Sequence, residues 1–201
     1  MNITYINTRY EPDGRLCHAM EPQQIGMGHA VIRLVRYELG YGGSIQELTP
    51  TRIKVYTSMM GRYDIVEFEG TEEAMQPLMR AVAAWSYGKQ MKGKEHIKET
   101  ANQLVKNGLN KPFHVTMMGC LMFSGWVDPI LCATAGLDEA QAKTLMDHVN
   151  AETDRLEQIE KCKPGFYRQS RRSIRNDVID PIIELIIDGG ELDDALELIA
   201  A

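Results

Sequence analysis

Two neighbouring stretches constrain this chain more than anything else in it. Arg52-Ile53-Lys54-Val55-Tyr56-Thr57 alternates apolar and polar residues with period two, and Tyr63-Asp64-Ile65-Val66-Glu67-Phe68-Glu69 does so less strictly. Successive side chains of a strand point to opposite faces, so this alternation suits strands with one face buried. Ser58 to Arg62, including Gly61, is all that separates them, which is hairpin spacing. An isolated hairpin is marginal in water, so its neighbours along the chain decide the fold.

Before the hairpin, Asn2 to Asn7 sets Ile3 and Tyr5 against polar neighbours, a short strand pattern. Pro12-Asp13-Gly14 marks a turn within the loop Arg9 to Met20, because Pro presets φ and Gly accepts a positive φ. Pro22 suits a first helical turn, where its missing N–H costs nothing. From there Ile25, Ala30, Ile32, Val35 and Leu39 recur at roughly helical spacing up to Gly40. Gly26 and Gly28 weaken the start of that helix by about 1 kcal/mol each.

After the hairpin, Thr71 followed by Glu72 and Glu73 predicts a capped helix from Glu72 to Tyr87, with Pro77 bending it or shifting its start. A further helix is expected from Lys94 to Lys106, then a buried strand from Phe113 to Phe123. The order is strand-helix-strand-strand-helix-helix-strand. It is that of an α+β, ferredoxin-like split βαβ sheet with one extra helix, over residues 1–125.

Residues 126–201 read as a C-terminal helical region that packs on this domain or on a partner. Asp138 and Gln141 form a capping-box variant opening a helix to about Lys161. Pro164-Gly165 ends it, and Arg171 to Ile187 follows, bent or restarted near Pro181, with Val178, Ile179, Ile182, Ile183 and Ile186 as its stripe. Glu191 to Ala201 forms a last short helix after Gly189-Gly190.

Composition excludes several classes. The chain has no apolar run of about 18 residues, so no membrane span is expected, and its N-terminus shows no signal-peptide pattern. Cys17, Cys120, Cys132 and Cys162 are irregularly spaced without a Cys-x-x-Cys pair, which reads as reduced thiols in a cytoplasmic compartment. No familiar metal-ligand spacing occurs, and no cofactor is implied. The net charge of −6 disfavours general nucleic-acid binding.

Candidate chemistry is sparse. Gly88 to Lys94 fits the Gly-x-x-x-x-Gly-Lys part of a phosphate loop, but Glu95 stands where Ser or Thr should hold magnesium, and a helix precedes it instead of a strand. Lys89, Lys92 and Lys94 therefore remain as looser anion contacts. His114-Val115-Thr116 resembles one half of the His-x-Thr/Ser signature of two-histidine phosphoesterases. The other histidines are followed two positions on by Met20, Val31, Lys98 and Asn150, so the second half is missing and nothing is carried over from that family. His114 and His29 are the candidate proton carriers.

The clearest non-random feature is a charge block. Lys161, Lys163, Arg168, Arg171, Arg172 and Arg175 run without an intervening acid, with Phe166 and Tyr167 interleaved, and Asp177 to Ala201 then contains no Lys or Arg. Arg168, Arg171, Arg172 and Arg175 can hold phosphate; alternatively the following acidic block neutralises them within the chain.

The expected function is a non-catalytic binding or regulatory protein working through protein–protein contacts. Its C-terminal helices meet a protein partner or a second copy, and a phosphate-containing small ligand is a possible addition. The alternatives are a small enzyme acting on a nucleotide or phosphorylated metabolite, with His114 as proton carrier and Lys/Arg anion clamps, and a nucleic-acid binder using residues 161–175.

Overall fold

The computed structural model describes residues 2–40, 42–59, 61–89, 127–165 and 169–200. It is an α+β structure built on one open antiparallel sheet. Its strands are β1 (Asn2–Tyr10), β2 (Leu16–Ala19), β3 (Gln23–Gly26), β4 (Ser44–Thr49), β5 (Arg52–Met59) and β6 (Arg62–Glu69). The sheet order is β2-β1-β6-β5-β4, with β3 also pairing β1.

The hairpin is found where the alternation places it. Ile53 pairs with Phe68 and Val55 with Val66, so both strands turn their apolar residues to one face. Gly61 takes φ 80° in the connection, which glycine adopts without steric cost. β1 lies on the other side of β6, with Tyr5 opposite Phe68 and Asn7 opposite Val66.

The ferredoxin-like order is not the one formed. The sheet runs β2-β1-β6-β5-β4 with β3 also on β1, most strands precede the helices, and three strands lie outside the expected set. β2 lies across the turn at Pro12-Asp13-Gly14 from β1 and is exposed throughout, so it carries no apolar alternation. β3 occupies the residues after Pro22 expected to begin a helix; Gln23 and Gln24 pair with Tyr5 and Thr4 instead. β4 escapes the period-two pattern because a bulge at Gln46 shifts its register between Ile45 and Glu47. The expected helix Lys94 to Lys106 and strand Phe113 to Phe123 lie outside the described residues.

The helices are α1 (Met27–Ile32), which continues as a π-helical segment (Arg33–Leu39), α2 (Glu72–Lys89), α3 (Val127–Thr134), α4 (Glu139–Lys161), α5 (Arg171–Ile187) and α6 (Leu192–Ala200). Their starts follow from capping. The Thr71 hydroxyl accepts from the Ala74 N–H at 3.2 Å, and the Ser170 hydroxyl from the Ser173 N–H at 3.1 Å. Asp138 and Gln141 complete a reciprocal box at 2.8 and 3.0 Å. Both α2 and α5 continue through their prolines, Pro77 and Pro181.

One core joins these parts. Ile3, Ile45, Ile53, Val55, Val66 and Phe68 on the inner face of the sheet are fully buried beneath α1, the π segment and α2. α5 packs on α1 and α4, and its Val178, Ile179, Ile182 and Ile183 are buried in the same apolar cluster. The apolar stripe of α5 is thus covered within the chain.

A buried polar chain ties the helices together. Arg36, 3% exposed, donates from Nε to Asp180 at 3.0 Å, and its Nη2 also reaches Asp128 at 3.4 Å. Arg175 holds the other Asp128 oxygen at 2.8 Å and Asn150 at 2.5 Å. Burial pushes the Asp180 carboxyl up, and the Arg36 guanidinium opposes that shift.

Candidate functional site

The described helices lie on one side of the sheet. No described helix is packed on the opposite face. Strand alternation places Thr8 and Tyr10 of β1, Tyr63 and Ile65 of β6, and Lys54 and Tyr56 of β5 on this outer face. Tyr10 stands directly opposite Tyr63, with ring centroids 5.1 Å apart and planes within 13°. Tyr56 stacks on the other side of Tyr63 at 5.3 Å and 30°. Three strands therefore contribute one continuous row of tyrosines. Such rings present large apolar area with little rotamer entropy to lose.

Beside this row lies an open trough of about 810 Å³, lined by Ser44, Gln46, Glu47, Lys54, Tyr56 and Ile65. Its floor is aromatic and aliphatic; its rim along β4 is polar. The bulge at Gln46 shapes that rim by turning an extra residue outward. Beyond it, Arg52 pairs with Glu67, with Glu69 at 3.1 Å and with Glu47 at 3.7 Å. The hydrogen bond that Arg52 donates to Glu67 is the main reason its guanidinium is held even more firmly protonated than usual. The charges gather at that end, while Tyr10, Tyr63, Tyr56 and Ile65 carry none, so the face has a distinct apolar half.

The residues singled out by sequence lie elsewhere. His114, Lys92, Lys94 and Arg168 are outside the described residues, and so is Cys120. Lys89 falls at the end of α2. His29 is on α1, half exposed, with Nδ1 3.9 Å from a Glu184 carboxylate oxygen. It meets no second nucleophile or base among the described residues. Cys17, Cys132 and Cys162 form no disulfide, and no described group of three His, Cys, Asp or Glu side chains is placed to hold a metal.

The basic block is largely paired, though with acids other than those expected. Arg171 binds Asp154 at 2.6 Å and Glu157 at 2.7 Å; Lys161 reaches Glu157 at 4.0 Å; Lys163 pairs with Glu160. Arg175 belongs to the buried Asp128 pair. The partners come from α4 and α3, not from the acidic tail. Arg172 is exposed and has no ion partner among the described residues. The tyrosine row was legible only as scattered tyrosines, because its members come from three strands.

In the described residues no helix is long and apolar enough to cross a membrane. Comparison with family models, with curated proteins and with solved structures found no match.

Proposed function

We propose that this chain is a non-catalytic binding protein that holds an extended segment of a different protein on the outer face of its sheet. The tyrosine row beside the open trough carries this reading. Interface cores are enriched in tyrosine and depleted of charge, and the Tyr10–Tyr63–Tyr56 half of the face has that composition. An enclosing pocket buries most of a small ligand, whereas this trough is open to solvent, which suits a peptide laid on its surface. Tyr56 and Ile65 would receive an apolar side chain, while Ser44 and Gln46 would pair with the peptide backbone.

Less supports the phosphate-binding readings. Pairing within the chain occupies Arg171, Arg175, Lys161 and Lys163, leaving Arg172 as the described arginine of that block open to an anion.

A photo-crosslinking residue placed at Gln46 in cells tests the proposal, with the same residue at exposed Asp147 on α4 as control. An adduct to a different polypeptide at position 46, absent at position 147 and lost in Tyr56→Ser, is the expected result. No adduct, equal adducts at both positions, or an adduct of twice the chain's own mass overturns it.

A further inference from the structure

The trough beside the tyrosine row is not electrically even. Two of its lining residues, Glu47 and Lys54, are charged, and both belong to one patch with Arg52, Glu67 and Glu69. The acids of that patch are served unequally. Glu67, its side chain only 15% exposed, accepts a hydrogen bond from Arg52 and has Lys54 Nζ at 3.7 Å. Glu69 stands 3.1 Å from Arg52 Nε. Glu47, 40% exposed, has its nearest described cation, Arg52 Nη1, at 3.7 Å, beyond an ordinary hydrogen bond. Glu47 faces Lys54 across the β4–β5 ladder, yet the Lys54 ammonium lies against Glu67.

Three carboxylates thus share two cations, and the least engaged of the three is the one on the trough. The bulge puts it there, because Gln46 and Glu47, adjacent in sequence, both line the rim. An anionic guest would meet three acids against two bases, whereas a cationic guest finds the balance in its favour. The floor agrees with the rim. The face of a tyrosine ring is its negative side and attracts a cation within about 6 Å, and Tyr56 lines the same trough. A rim charge of this kind selects among partners more than it adds raw affinity.

We infer that the segment held in this trough carries a lysine or arginine two positions from an apolar residue, an inference that rests on the peptide-holding reading above. In an extended peptide alternate side chains face the same way, so both reach the sheet. The cationic head lies between the Glu47 carboxylate and the Tyr56 ring face, and the apolar side chain rests on Ile65.

A phage-displayed library of random nonapeptides, selected on the full chain, tests this. The expected binders carry Lys or Arg two positions from an apolar residue. A synthetic peptide of that consensus should lose about tenfold in affinity, read by fluorescence anisotropy, when its basic residue is replaced by glutamine. On the Glu47→Gln protein the same replacement should cost about twofold or less, because the partner it addresses is gone. Glu47 is well exposed, so that substitution leaves the packing of the sheet intact. A replacement that still costs tenfold on Glu47→Gln overturns the inference, as does a consensus that is acidic or has no charged position. In those cases binding that is lost in Tyr56→Ser leaves the peptide-holding reading standing without its charge assignment. A library that yields no Tyr56-dependent binder overturns both.

Discussion

Gly28 passes the backbone of Glu184 so closely that a β-carbon at position 28 would lie 2.5 Å from the Glu184 carbonyl oxygen. The same glycine donates its N–H to the Asp188 carboxylate at 3.0 Å, so the end of α5 caps the start of α1. In the sequence Gly28 looked like a weakness in a helix. It is the point at which two helices distant in sequence touch.

Gly28→Ala is therefore expected to destabilise despite alanine's better helix propensity. The obstacle is backbone and cannot rotate away, so about 1–3 kcal/mol of overpacking cost outweighs the gain of about 1 kcal/mol from removing glycine. Urea unfolding should show a lower midpoint with an unchanged slope.

Arg36 is the hub of the buried polar chain, held between Asp180 and Asp128. Arg36→Met leaves Asp180 in a poorly solvated site without its counter-charge, while Asp128 keeps Arg175. The expected loss is about 3–5 kcal/mol, a large part of a typical domain's stability. Calorimetric unfolding measures it, and adding Asp180→Asn to Arg36→Met should recover part of the loss.

Glu38 makes stability fall as pH rises. Burial, opposed by Arg33, raises its carboxyl from 4.5 to about 7 in the folded chain, so between those values the folded state holds more protons than the unfolded state. The contribution is absent below pH 4.5, grows through the interval and is complete above pH 7, on the order of 3 kcal/mol. Glu38→Gln should flatten this interval and be more stable than the parent at pH 8. Chemical denaturation at pH 5 and pH 8 gives both comparisons.

The Asp138 box can be tested alone because it is exposed and local. Asp138→Ala should cost about 1 kcal/mol and shift Tm down by a few degrees, whereas Asp138→Ser should restore most of it.

Local chemistry was readable where it is decided locally. The Arg52 to Glu69 hairpin, the box at Asp138 and the helix Arg171 to Ile187 depend on periodicity and on residues within one turn. β2 and β4 were not readable, one being exposed on every residue and the other broken by a bulge. The candidate site was less readable still. Tyr10, Tyr56 and Tyr63 form a row only after three strands pair in register, and Glu47 joins Gln46 on the trough rim only through the bulge in β4. Alternation, capping and turn residues act over a few neighbours, and the order of amino acids by itself determined those. Strand order, the crossing at Gly28 and the meeting of Glu47 with Tyr56 at one trough depend on which distant segments pack together, and only the tertiary structure decided them.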